Sequence, residues 1–385
     1  MQTSSSRSLQ PRWGEYVLGL SLATAMVFPG VANAQAPGEL PNSYTQHNLV
    51  SDGAVTADHQ DPNLVNPWGL AFNPNGVAWV ADNGKGVSTL YDGEGNPQQL
   101  VVKIPVPAGV TDTAAPTGLV FSGSDSAFMV TSGAASGPAR FIFATEQGLI
   151  AAWSPQAAPT DAVTVADRSS ANAIYKGLAW ANNGSETHLY ATDFHNGKID
   201  VFDSKFAPAT LSGGFTDPNL PAGFAPFGIQ NINGNLYVTY AQQDEEKKDD
   251  VKGAGLGYVN VFDANGRFIR RLISKGELNA PWGMALAPAS FGRFAGHLLV
   301  GNFGDGTIHA YDVVTGKHAG ALQDPSGKAV TIDGLWSIAF GNGLQKQPVD
   351  ALFFTSGPQD EAHGLYGRLE VTPTTSTQLT PLQRP

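Results

Sequence analysis

The chain reads as an all-β protein, a six-bladed β-propeller of four-stranded antiparallel blades. Two recurring markers and the spacing of turn residues carry that reading. The first marker is a bulky residue, then glycine, then an apolar run: Trp68-Gly69, Thr117-Gly118, Lys176-Gly177, Phe227-Gly228, Trp282-Gly283 and, with serine in place of glycine, Trp336-Ser337. The second is glycine, alternating apolar positions and an aromatic-Asp pair, as in GVSTLYD (86–92), GKIDVFD (197–203), GYVNVFD (257–263) and GTIHAYD (306–312). GLIAAWS (148–154) and GLYGRLE (364–370) are weaker copies. Strand-type units that repeat about every 50 residues signal radial blades around an axis. Six copies of the first marker give six blades.

The elements follow in order. Tyr44–Ser51 alternates weakly and stands as a lone strand before the first full unit. The last unit offers only three strands, within Trp336–Phe340, Ala351–Thr355 and Leu365–Val371. The lone strand is therefore expected to complete the last blade and close the ring, which leaves no open edge at the seam. Blade one begins at Asn66, and its strands are punctuated by Asn73-Pro74-Asn75-Gly76, Asp82-Asn83-Gly84 and Asp92-Gly93. Blade two starts at Thr117 and carries surplus residues at 126–148, an expected extra hairpin. Blade three runs from Lys176 to about Leu211. Blade four starts at Phe227 and holds the charge run QQDEEKKDD (242–250), the pattern of a solvated loop tip. Blade five starts at Trp282, and blade six at Trp336 ends the ring. The propeller thus spans 44–371, preceded by a linker at 35–43 and followed by a flexible polar tail at 372–385.

Composition narrows the classes of function. The 385 residues carry a formal charge of −11 and no cysteine. An acidic chain without a basic stripe is unsuited to nucleic acid. The absence of cysteine excludes thiol catalysis and thiolate metal sites. Forty-five glycines and 26 prolines fall between apolar runs, so they act as turn punctuation. At the N-terminus, Arg7 and Arg12 precede an apolar run (16–31) and then Ala32-Asn33-Ala34, the three parts of a secretory signal. Cleavage after Ala34 is expected to deliver a soluble product to the periplasm or the extracellular space, without membrane insertion. A monomer is expected.

PWGLAF (67–72) followed by GVAWVADNGKGVSTLYD (76–92) resembles an NHL-type repeat, and the likeness extends over about Asn66–Glu370. Similar units build the six-bladed propellers of the gluconolactonase/senescence-marker class and the periplasmic β-propellers. The chain, with NPWGLAF (66–72) and GNFGDGTIHAYD (301–312), also resembles a family of secreted bacterial proteins with no assigned role. The resemblance implies architecture more than activity, because propellers host unrelated functions. In the gluconolactonase-like class a central metal held by Glu, Asn and Asp activates water for ester hydrolysis. A metal-dependent hydrolase or lyase is therefore the alternative to a ligand-binding propeller.

No G-x-S-x-G, H-E-x-x-H, Walker A or complete EF-hand loop occurs, and Asp92-Gly93-Glu94-Gly95-Asn96 reads as a turn. By analogy with the fold, the lead residues of the six units gather on one loop-rich face around the central channel. Trp68, Lys176, Phe227, Trp282 and Trp336 then form a candidate surface for a small-molecule or protein ligand, aromatic faces with a cation beside them. The competing reading makes the aromatics packing between blades, which Lys176 fits poorly because an unpaired buried ammonium is costly. On the same face, Asp193, His195 and Asp305 are candidate ligands for a divalent metal such as calcium or zinc. Asp82-Asn83, Asn302 and Asp360–His363 share that face. Two Asp-Pro-Asn-Leu segments, at 61–64 and 217–220, have the pattern of turn initiators.

Overall fold

A bulge explains the first marker. In the computed structural model, which describes residues 42–373, the ladder between the first and second strands is interrupted in all six blades at the bulky residue and its glycine or serine. The breaks fall between Pro67 and Leu70, opposite Phe143–Thr145, between Tyr175 and Gly177, Pro226 and Ile229, Pro281 and Met284, and Leu335 and Ile338. A bulge re-aims the side chain at the irregular position. Here it lets the bulky residue leave the sheet for the axis.

The following glycine answers a different need, because the innermost strands approach one another too closely for a Cβ. A methyl group at Gly177 would lie 2.8 Å from Phe227 O, and one at Gly69, Gly118, Gly228 or Gly283 would overlap the backbone of the next blade. Threonines in the first or second strands latch neighbouring blades. Thr117 Oγ1 donates to Tyr175 O at 2.8 Å, Thr192 Oγ1 to Phe227 O at 2.7 Å, and Thr355 Oγ1 to Trp68 O at 2.6 Å. The last of these joins blade six to blade one.

The second marker is also structural. Tyr91, Phe202, Phe262 and Tyr311 are all buried, and each following aspartate caps a turn. Asp92 Oδ1 accepts from the backbone N–H of Glu94 and Asn96, Asp203 Oδ1 from Lys205 and Ala207, and Asp263 Oδ1 from Asn265 and Arg267. Such local bonds favour turns over continued strand.

Blade one comprises Pro67–Phe72, Ala78–Asp82, Val87–Tyr91 and Val102–Lys103. Blade two comprises Pro116–Phe121, Phe141–Thr145, Leu149–Trp153 and Val163–Asp167, and the extra hairpin is Met129–Ser132 with Ala135–Pro138. Blade four comprises Phe224–Ile232, Asn235–Gln242, Gly257–Phe262 and Phe268–Ser274. Blade five comprises Pro281–Leu286, Leu298–Asn302, Ile308–Tyr311 and His318–Ala321. In blade six, Leu335–Phe340, Leu352–Ser356 and Leu365–Val371 are joined by Tyr44–Ser51, antiparallel to Leu365–Val371. His59–Gln60 adds a short parallel fifth strand.

Blade three departs from the four-stranded pattern. It ends at its third strand, after Tyr175–Asn182, Thr187–Asp193 and Lys198–Phe202. The chain beyond touches that edge only at Phe202 and Pro208, with Ala209 N donating to Val201 O at 2.8 Å. Leu211 and Phe215 pack against the blade instead.

The core divides accordingly into clusters between successive blades, such as Trp79 with Phe141 and Trp153 between blades one and two. A further cluster lies on the axis. No described helix is long and apolar enough to cross a membrane. The expected signal segment, nearly all of the linker and nearly all of the tail lie outside the described residues.

Candidate functional site: a polar arc over an aromatic plug

The aromatic lead residues meet on the axis and cover one another. Trp68 stacks on Trp336 with ring centroids 3.5 Å apart, and Phe303 stacks on the same indole at 3.9 Å. Trp282 meets both tryptophans edge-on at 6.1 and 5.7 Å, and Phe227 meets Trp336 at 6.0 Å. Trp68, Phe227, Trp282 and Trp336 are all buried. The faces expected to receive a ligand are thus occupied by neighbouring rings. The aromatics form a plug that closes the channel below the loops. Phe194 and Phe303, from the loops after the second strands of blades three and five, complete the plug.

Lys176 is the exception among the lead residues. Its ammonium lies 5.0 Å from the Trp68 ring centre, yet the side chain is only 1 % exposed. Nζ donates to Glu146 Oε1 at 2.5 Å and to Asp249 Oδ1 at 3.0 Å. Burial alone would push its pKa down; the two carboxylates outweigh that and hold it above the ordinary lysine value.

From this lysine a hydrogen-bonded arc runs around the face. Asn83 Nδ2 donates to Glu146 Oε2 at 3.2 Å, and Asn66 Nδ2 reaches Glu361 Oε2 at 2.7 Å and Asn83 Oδ1 at 3.4 Å. Loops of blades two and four therefore meet on the lysine of blade three, and loops of blades one and six extend the arc from Glu146. The arc is tied to the plug beneath it. Trp336 Nε1 donates to Asn66 Oδ1 at 3.1 Å, and Trp282 Nε1 to Lys176 O at 3.2 Å. Lys252 adds a second cation, 4.3 Å from the Phe303 ring centre.

Burial raises the pKa of several carboxyls on this face, and two of them belong to the arc or border it. Burial pushes Asp250 up to about 7 even though Lys176 and Lys252 oppose the shift, and its buried Oδ2 has no hydrogen-bond partner. Burial likewise raises Glu361, against the Asn66 hydrogen bond. Gln359, Asp360 and Glu361 all hold positive φ, of 58°, 52° and 66°. That backbone is costly for residues other than glycine and is concentrated at functional loops.

The metal candidates do not converge. Asp193 is engaged within its own turn by Asn196 Nδ2 at 2.8 Å and by Ile174 N, and burial raises its pKa. Asp305 belongs to blade five and accepts from Thr307 Oγ1 at 2.6 Å and Asn279 Nδ2 at 3.1 Å. His195 is next but one to Asp193 in the chain, with a buried, unpartnered Nδ1. Among the described residues, no group of three or more histidine, aspartate or glutamate side chains is arranged to hold a metal ion. Both Asp-Pro-Asn-Leu segments are Asx turns, with Asp61 Oδ1 accepting from Asn63 N and Asp217 Oδ1 from Asn219 N.

Sequence reasoning passed over Glu146, Asp249 and Asp250. Glu146 lay in the surplus of blade two, and the aspartates end a run read as solvated. Asp244–Lys248 fits that reading in part, since Glu245–Lys248 is exposed; the signal missed was that the run returns to the face that holds Lys176.

Asp82 shows what such a buried position costs. It is fully buried, Thr89 Oγ1 donates to its Oδ2 at 2.8 Å, and Oδ1 has no partner. Burial, with Asp61 adding to it, raises its pKa well above the carboxylate range. The matching residue of blade five is Asn302, which accepts from Asn279 N and donates to Glu277 O. Because the folded carboxyl holds its proton more tightly than the unfolded one, its contribution to stability is complete in acid. It is lost as pH rises through the raised value. Asp82→Asn should therefore gain about 2 kcal/mol over the parent at neutral pH. Urea midpoints taken from pH 4 to 8 should diverge upward; a constant difference would refute the assignment.

No family model matches the chain. It is 34% identical over 344 residues to uncharacterized protein R648 of Acanthamoeba polyphaga mimivirus, covering 88% of this chain and 82% of that protein. To uncharacterized protein L690 of the same virus it is 32% identical over 347 residues, covering 88% of each. Among solved structures, a gluconolactonase from Xanthomonas campestris matches with TM-score 0.48 and 15% identity, over 80% of this chain and 87% of that one. The calcium-binding protein regucalcin from Agrobacterium tumefaciens gives 0.46 and 14%, over 80% and 91%. Likenesses at that level carry nothing about chemistry, and the propeller rests on the strand order described above. The relatives at a third identity over most of both lengths do settle descent: the chain belongs to the family of the mimivirus proteins R648 and L690.

Proposed function

We propose that this chain is a secreted, non-enzymatic binding propeller that takes its ligand on the loop-rich face, at the arc organised by Lys176. The carrying observation is the ammonium sealed under that arc, paired with Glu146 and Asp249. An apolar side chain would serve packing at least as well, since buried ion pairs are weak sources of stability. What the lysine does supply is a fixed point for carboxylates from separate loops. Asp250 offers a buried oxygen with no partner, and Glu361 stands on a strained turn. A small molecule or protein segment bearing an ammonium or guanidinium group suits these acceptors, and the net charge of −11 favours its approach. Secretion rests on residues 1–34, and a monomer suffices for this site.

Titration calorimetry with agmatine, spermidine and an arginine-rich peptide tests the reading. At least one probe should bind with an affinity that falls with salt, falls as pH drops through about 7 with protonation of Asp250, and is lost in Asp250→Asn. Failure of all three cations to bind the folded protein, or equal binding by the Asp250 variant, would sink it.

A further inference from the structure

The opposite end of the channel is built from different material. All six innermost strands run away from the plug, and below their glycines the channel is constricted to about 60 Å³. It then opens into a cavity of about 610 Å³ on the far face. Five of the six equivalent rim positions are Phe72, Phe121, Trp180, Leu286 and Phe340. Among the described residues, no charged side chain lines the cavity. Because the aromatic plug closes the other end, this is a blind funnel and no chain could thread through it.

Blade four breaks the apolar ring with Gln230, Asn231 and Asn233. The Asn231 amide is committed to the backbone, donating to Trp180 O at 2.8 Å and accepting from Gly234 N at 3.0 Å. The Gln230 amide has no partner among the described residues and borders both the constriction and the cavity. Trp180 is fixed at the mouth by its Nε1–H bond to Phe121 O at 2.8 Å, while 36% of the residue stays exposed. An immobilised, exposed indole, a wall that is about half polar and half apolar, and the unbonded Gln230 amide are the parts of a small-molecule site, and the volume lies within the usual range of about 300–1,000 Å³.

We infer that the funnel is a second binding site, for a neutral small molecule with an apolar ring and a hydrogen-bonding group that meets Gln230. Neutrality follows from the wall, which offers a buried charge no counter-ion. The site is independent of the polar arc, lying beyond the plug from it.

The test is a fluorescence titration of the folded protein with N-phenyl-1-naphthylamine, an uncharged probe carrying one N–H. One saturable site is expected, with energy transfer from tryptophan. Gln230→Glu, a change at an exposed residue, should weaken it at least tenfold by replacing the amide that meets the ligand with a hydrated carboxylate. Trp180→Ala should weaken it similarly, with urea midpoints showing that both variants fold. Anionic 8-anilino-1-naphthalenesulfonate should bind at least tenfold more weakly. Absence of saturable binding to the parent protein would overturn the inference. So would parent-like affinity in both variants, and anionic binding as tight as neutral binding would overturn the assigned ligand class.

Discussion

Gly228→Ala is expected to destabilise the ring by about 3 kcal/mol or more, at the upper end of the usual cost of overpacking. Gly228 has no unusual φ, so conformational freedom is not its role. A Cβ there would overlap Trp282 O and come within 2.9 Å of Thr239 Oγ1, which accepts from Gly228 N at 2.8 Å. The obstacle is backbone of the next blade, which no rotamer change relieves. Blades four and five would have to separate, and every other junction around the closed ring would feel the displacement. Gly123→Ala is the matched control, because its Cβ would meet only the Phe121 ring at 3.4 Å. Denaturant unfolding of the pair gives the answer: similar midpoints would remove close approach as the reason for the repeated glycine.

Lys176→Met should cost about 3 kcal/mol, at the low end for breaking a buried ion pair. The low end applies because Asp249 is 57% exposed and rehydrates, whereas Glu146 at 17% is left with an amide alone. Adding Glu146→Gln should recover most of the loss, since the stranded charge, not the missing attraction, dominates the penalty. For a ring of this size the single change lowers Tm by about 4 °C. A single variant as stable as the parent would show that the lysine is dispensable to the arc, and a double variant no better than the single would show that the penalty lies elsewhere.

The architecture was legible because its determinants are local. A bulge needs its bulky-Gly pair and a turn its aspartate, and both recur at positions the ring equalises. The place of Trp68, Trp282 and Trp336 was legible too, but their role was not. Whether an aromatic at a repeated position faces a ligand or another aromatic depends on rings contributed by other blades, which sequence distance conceals. The same limit hid the partners of Lys176. The anomaly of a lysine at an aromatic position was visible, while Glu146 and Asp249 lie 30 and 73 residues further along or back in the chain. The missing fourth strand of blade three leaves no trace in a count of markers, since blade one forms its fourth strand despite Pro97 at the bridge that matches Pro208.

The seam between Tyr44–Ser51 and Leu365–Val371 also sets an order of events. Blades one to five each draw on a contiguous stretch and can assemble as that stretch becomes available. The sixth cannot, because its outer strand is the first to emerge and its neighbour nearly the last. Bringing Tyr44 to Val371 closes a loop of over 300 residues, for which the length-dependent entropy is about 5 kcal/mol. That entropy is charged once, at the final step, against seven paired positions and the Thr355 latch. Until then five blades stand with a bare flank at either end. A chain halted before residue 365 is consequently an open arc with two adhesive edges rather than a shorter ring.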